Sequence, residues 1–114
     1  MPQTASFYAA LGLPVNLRGF HFDRLAATAE RHAGEPVLIV QGEIRNSTAE
    51  SADVPRLRFA IRNAEHQEIY SWTAVPARGR LSAGHKLAFR SELTLPPADT
   101  RDVVVRFIDR ENTL

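Results

Sequence analysis

The run Arg56-Leu57-Arg58-Phe59-Ala60-Ile61-Arg62 alternates without a fault: Leu57, Phe59 and Ile61 fall on one side, the three arginines on the other. A period of two belongs to a strand with one dry face and one wet face. A slip of one residue would drive every arginine into the core, so the register of this segment is strongly fixed. Asn63-Ala64-Glu65-His66 supplies a hairpin loop, and Glu68 to Val75, with Ile69, Tyr70 and Trp72 as its bulk, returns antiparallel to the first strand. The fold must therefore supply a sheet with a covered face.

Other segments read the same way. Val37-Leu38-Ile39-Val40 is apolar on both faces, which predicts a central strand, and Gln41 to Arg45 continues it with alternation up to the turn residues Asn46-Ser47. Lys86 to Leu95 places Leu87, Phe89, Leu93 and Leu95 on one face. Asp102 to Asp109 turns Val103, Val105 and Phe107 inward. Val15 to Leu25 is a further strand whose phase shifts around Gly19, which predicts a bulge there. The polar, alanine-rich stretch from Ala26 to Glu35 reads as a loop holding a helical turn. Pro76 to Gly84 reads as a long turn. At the start, Thr4 to Leu11 reads as a short helix: Thr4 or Ser6 caps it, Tyr8 and Leu11 sit one turn apart, and Gly12 and Pro14 stop it.

With 114 residues the chain is one domain's worth, and a chain of this size buries roughly two-thirds of its surface on folding. Several short strands at this spacing predict an all-β, immunoglobulin-like antiparallel β-sandwich of about seven strands with a short N-terminal helix. The boundaries expected are 1–14 for the short helix or a linker, 15–110 for the sandwich and 111–114 for a frayed tail.

Composition removes several kinds of chemistry. There is no cysteine, so thiol catalysis, disulfides and cysteine–metal sites are excluded within this chain. The formal charge of +1 gives no field that would gather nucleic acid, and thirteen acidic residues are interspersed with the arginines. No apolar run approaches the roughly 18 residues of a membrane-spanning helix. His21, His32, His66 and His85 show no metal-ligand spacing. No Gly-x-Ser-x-Gly elbow is present, and Ser82 near His85 is the only serine with a close histidine. The pairs Glu65/Glu68 and Asp99/Asp102 fall in loops or at strand edges, where water keeps a carboxyl ordinary. Gly79 and Gly84 are not followed by the Lys-Ser/Thr of a phosphate loop. Neither a catalytic residue, a cofactor nor a metal is expected. Asn46-Ser47-Thr48 matches a glycosylation sequon and reads as a plain turn.

Four residues remain as binding candidates. Arg78 and Arg80 form a small basic loop patch, read either as a holder of an acidic partner or phosphate or as a solvated turn. Tyr70 and Trp72 share one strand face, so they are expected to be buried together or displayed together; a lone tryptophan on a middle strand is expected in the core.

Three segments carry a resemblance: Tyr8-Ala9-Ala10-Leu11-Gly12-Leu13-Pro14-Val15-Asn16-Leu17-Arg18-Gly19, Val40-Gln41-Gly42-Glu43-Ile44-Arg45-Asn46-Ser47 and Tyr70-Ser71-Trp72-Thr73. With them the chain resembles the C-terminal domain of a proteobacterial membrane-protein family of unknown function. Members begin with a finger-like zinc ribbon, continue through a disordered region and one transmembrane helix, and end in such a domain. The first segment is the most specific; the Gly-x-Ile-x-Asn pattern of the second recurs in many envelope sandwiches. The resemblance implies a periplasmic domain of a single-pass inner-membrane protein, tethered from upstream and not itself inserted in the membrane. It implies no metal here, because the zinc ligands belong to the N-terminal part. The function expected is a non-catalytic envelope module that binds a protein or peptide, with exposed strand edges as its means. The alternative is a small-ligand or glycan-binding sandwich with a pocket around Tyr70 and Trp72.

Overall fold

The alternation at Arg56–Arg62 builds the hairpin it predicts. In the computed structural model, which describes residues 6–12, 19–76 and 79–108, Arg56–Arg62 pairs antiparallel with Glu68–Ala74. The Asn63 side chain closes the loop: its Oδ1 accepts the Glu65 and Gln67 backbone N–H groups, both at 3.0 Å. In chain order the described strands are β1 (Ser6–Gly12), β2 (Phe20–His32), β3 (Glu35–Asn46), β4 (Ala52–Asp53), β5 (Arg56–Arg62), β6 (Glu68–Ala74), β7 (Arg80–Leu81), β8 (Lys86–Thr94) and β9 (Asp102–Ile108). Seven of them form one sheet in the order β6-β5-β9-β1-β2-β3-β8, and β4 pairs with β7. No helix among the described residues is long and apolar enough to cross a membrane.

The expected N-terminal helix is not formed; Ser6–Gly12 is a strand. Two neighbours decide this. Ser6, Phe7 and Tyr8 pair antiparallel with Ala29, Thr28 and Ala27 of β2, and Ala9 to Gly12 pair parallel with Asp102 to Val105 of β9. A segment whose N–H and C=O groups meet a ladder on each side gains more than the helix propensity of Ala9-Ala10-Leu11 supplies. Thr4, the proposed cap, and residues 111–114, the proposed tail, lie outside the described residues. Because β1 runs parallel to β9, the sheet is mixed. The prediction holds as an all-β chain and fails as a purely antiparallel arrangement.

β1 also makes the sheet curl. Its first half belongs with β2, β3 and β8, its second half with β9, β5 and β6. The two halves meet across a core of Leu38, Val40 and Ile44 from one side and Leu57, Phe59, Ile61, Val103 and Val105 from the other. Phe22 of β2 stacks on Phe107 of β9, centroids 4.3 Å apart and planes 6° from parallel.

β2 is longer than its sequence predicts. The expected loop from Ala26 to Glu35 is half of a thirteen-residue strand and a two-residue turn at Ala33-Gly34. Both turn residues have positive φ, 54° and 86°, the geometry of a tight hairpin that matches strand twist. The bulge also lies elsewhere. Register shifts between Asp23 and Ala26, with Arg24 at φ 57°, and Leu25 is thrown over Gly42. A Cβ at Gly42 would stand 2.8 Å from Leu25 Cδ2 and 3.2 Å from the Asp23 carbonyl oxygen, so the glycine of Gly-x-Ile-x-Asn makes room for the bulge. Gly19 instead makes the turn that leads into β2, at φ 80°. On β8, Leu87, Phe89 and Leu93 pack on the core as expected, whereas Leu95 takes positive φ beyond the strand end and is 62% exposed.

The asparagine of that motif ends β3. Asn46 is fully buried, and its side chain uses every hydrogen-bonding position it has. Nδ2 donates to the Glu50 and Leu81 carbonyls, each at 2.9 Å; Oδ1 accepts the Thr48 N–H at 2.9 Å and the Thr48 hydroxyl at 2.7 Å. Its backbone N–H donates to the His85 carbonyl, and its own carbonyl accepts the Gly84 N–H. The sequon is therefore a turn with its amide nitrogen committed inside.

Asn46→Ala orphans the buried Leu81 carbonyl, whereas the exposed Glu50 carbonyl keeps the Thr48 hydroxyl and the part-buried Thr48 N–H can turn to water. At about 1–3 kcal/mol for a buried group left unpaired, the expected loss is about 1–3 kcal/mol, read as a fall in the urea midpoint at unchanged slope. A loss under about 1 kcal/mol would mean that water replaces these bonds at no cost. Two glycines give a graded second test. A Cβ at Gly34 meets nothing within 4 Å, so Gly34→Ala is expected to cost the left-handed conformation alone, about 1–2 kcal/mol. At Gly19 the Cβ would collide with Thr48 Cγ2, on a side chain whose hydroxyl is tied to Asn46. Gly19→Ala is thus expected to lose clearly more than Gly34→Ala; equal losses would show that Thr48 yields.

Candidate functional site

β6 and β8 are the two ends of the curled sheet, and neither has a strand on its outer side among the described residues. An open edge presents unpaired N–H and C=O groups to any other chain, and sheets commonly blunt it with charge. β8 does so, with Lys86, Arg90 and Glu92 all exposed. β6 does not. After Glu68 it runs Ile69-Tyr70-Ser71-Trp72-Thr73-Ala74-Val75 without a charge, in residues that favour extended structure, until Pro76.

The inner side of this edge is aromatic. Trp72 lies on Phe59, its register partner on β5, with centroids 5.1 Å apart and planes 16° from parallel. Its indole N–H donates to Ser91 Oγ of β8 at 2.9 Å, which bridges the seam between the two edges. Tyr70 is not buried with it: the tyrosine ring is 6.0 Å from the tryptophan ring and the residue is 45% exposed. The expectation that both share one fate fails because β8 passes under Trp72, while Tyr70 lies further towards the hairpin, opposite Ile61. Beside them Val75 is 74% exposed. A cleft of about 220 Å³ opens between the edges, lined by Phe59, Ala74, Val75, Phe89 and Ser91 among others. A broader, shallow trough of about 390 Å³ runs along Gly42, Glu43, Phe89 and Arg90.

The basic loop patch is not assembled as expected. Arg78 lies outside the described residues. Arg80 stands on β7 and pairs with Asp53 of β4 at 2.9 Å, both side chains largely exposed, and it lines neither cleft. Ser82 and His85 share a tight turn, His85 N–H to Ser82 carbonyl at 3.1 Å. Among the described residues no three His, Asp or Glu side chains are grouped to hold a metal ion.

The structure gathers arginines where the sequence suggested only a wet face. Strand register sets Thr73, Arg58 and Arg106 in one row across β6, β5 and β9, and Glu68, Arg62 and Asp102 in another. Between the rows Ala60 and Val104 are 1% and 5% exposed although they point away from the core, because arginine stems cover apolar surface. Arg62 grips Asp102 through two bonds of 2.8 Å, and Arg58 reaches Glu68 at 3.0 Å. Arg106 directly opposes Arg58, and its Nε is buried with no hydrogen-bond partner among the described residues. Alternation placed Arg56, Arg58 and Arg62 on one face, but which arginine meets which is a matter of register between strands forty or more residues apart.

These pairs shift their carboxyls. The hydrogen bond from Arg62 holds the Asp102 carboxyl below the usual aspartate range, against the opposing effect of burial. The hydrogen bond from Arg58 does the same for Glu68, with smaller help from the Arg106 and Arg62 charges. The expectation that Glu68 and Asp102 behave as ordinary solvated carboxyls is corrected: both are held ionised, the reverse of what a proton donor at neutral pH needs. Neither a family model, a curated protein nor a solved structure matches this chain.

Because the folded-state pKa of Asp102 is depressed, its contribution to stability is complete above the unfolded value of about 4 and is lost as pH falls through the folded value. Urea unfolding from neutral pH down to about pH 2 is expected to show wild type losing stability below about pH 4, and Asp102→Asn losing less over the same range. Parallel curves for the two proteins would remove Asp102 from the account.

Proposed function

We propose that this chain is a non-catalytic binding module, immunoglobulin-like in architecture, that accepts an extended segment of another protein on the β6 edge. The observation that carries the reading is the uncharged run from Ile69 to Val75 at the end of the sheet. An incoming strand gains main-chain hydrogen bonds there, and every second side chain falls beside Tyr70, Trp72 and the cleft. The immunoglobulin-like description rests on two sheet halves of four strands that share β1 and enclose one core. The envelope setting, with a periplasmic domain tethered from upstream, rests on the family resemblance of the three segments given above.

The small-ligand or glycan reading draws less support. Trp72 spends one ring face on Phe59 and its N–H on Ser91, and the cleft beside it, at about 220 Å³, is below the roughly 300 Å³ at which ligand pockets begin.

The test is retention of a partner from detergent-solubilised envelope by the immobilised domain, with a heat-unfolded control. Successive residues of an edge strand aim their N–H groups alternately at the neighbouring strand and away from it. Of Tyr70→Pro and Ser71→Pro, one therefore keeps the β5 ladder, and thermal melting identifies it. A partner held by wild type and lost from that folded proline variant is the expected result. Equal retention by the variant would place the interface elsewhere and overturn the reading.

A further inference from the structure

We propose that the segment accepted by β6 is acidic along its outward side, so that the partner is an extended peptide alternating carboxylate and apolar residues. This rests on the strand-addition reading above. A strand paired on β6 would place every second side chain on the outer face, beside Ser71 and Thr73. Two strand spacings, about 10 Å, then separate it from Arg58, a gap that a glutamate and an arginine can span between them. β6 shows that this face takes a carboxylate from a neighbouring strand, because its own Glu68 is bound by Arg58 at 3.0 Å.

The face has positive charge to spare. Among the described residues of these strands, Arg56, Arg58, Arg62 and Arg106 share it with only Glu68 and Asp102. Asp102 is taken by Arg62 and Glu68 by Arg58, whereas Arg106 has a buried Nε with no partner among the described residues. The same surplus selects against a second copy of this chain. Joining β6 to β6 would unite two positive faces on one continuous sheet, a like-charge juxtaposition that suppresses the pairing. On the inner side the incoming residues would run alongside Tyr70, Trp72 and Ala74, which suits apolar side chains.

Three labelled ten-residue peptides test this, alternating Glu/Val, Ser/Val and Lys/Val, titrated by fluorescence anisotropy into the 114-residue chain. Hydrogen exchange of backbone amides is followed by NMR in parallel. The Glu/Val peptide is expected to bind about tenfold more tightly than Ser/Val at low salt, with Lys/Val weakest, and the preference should shrink as salt screens it. New exchange protection is expected in Ile69–Val75. Arg106→Gln, which breaks no ion pair seen in the structure, should reduce the Glu/Val preference by about two- to fivefold. Equal binding of Glu/Val and Ser/Val, with β6 protected, overturns the acidic preference and leaves strand addition standing. Glu/Val binding without β6 protection, or no binding by any of the three, overturns both.

Discussion

The chain passes from one half of the sheet to the other at Asn46, and that buried amide fixes how the passage is made. β3 delivers Asn46 to the edge of the core. From there its side chain holds the loop through Thr48 and Glu50 and the end of β7 through Leu81, while its backbone receives the turn at Gly84-His85 before β8. Three separate segments thus take their positions from one residue. Its demands explain neighbours that look unremarkable by themselves. Gly19 must lack a side chain because Thr48, locked by Asn46, stands against it; Ser47 binds the Gly19 carbonyl through both its N–H and its hydroxyl. Two residues earlier on the same face of β3, Ile44 is fully buried, and two before that Gly42 admits Leu25. Gly-x-Ile-x-Asn is one strand face written as room, core and anchor.

Where side chains alternate strongly, the sequence was legible. Leu57, Phe59 and Ile61, then Val103, Val105 and Phe107, are all in the core, and the β5–β6 hairpin forms where expected. Two segments were misread for the same reason. Ala9-Ala10 in β1 and Ala26, Ala27 and Ala29 in β2 carry no alternation in hydrophobicity, and alanine favours a helix in isolation. Only the ladders offered by β9 and β3, remote in sequence, decide for a strand. The alternation of Val15 to Leu25 shifts phase around Gly19 and so points to a bulge there, whereas the register shift lies between Asp23 and Ala26, where Arg24 takes a positive φ that nothing in the sequence signals. At the candidate site Tyr70 and Trp72 were visible as residues. Their separation into an exposed and a half-buried ring depends on β8 passing beneath one of them.

The arginine content itself changes meaning with register. Thirteen arginines against a single lysine read as bulk composition when laid out along the chain. Folded, four of them line one outer face in rows, and two anchor carboxylates there. Arginine suits this use because its fork binds Asp102 through two parallel bonds while its stem shields Ala60 and Val104. A lysine could offer neither the paired geometry nor the same cover.

The same rows account for a sheet edge that would otherwise be a hazard. An uncharged strand of this composition, open on one side, is the pattern that joins copies of a protein into aggregates. β6 carries no charge of its own beyond Glu68, yet its neighbour β5 sets Arg56, Arg58 and Arg62 one strand away on the outer face. Repulsion between such faces acts at a distance, while the edge stays chemically bare at contact. Charge placed on β6 itself would blunt the edge against every comer. Charge placed one strand back repels a like face and leaves the ladder free for a strand of opposite sign, so a single arrangement discourages self-pairing without closing the edge.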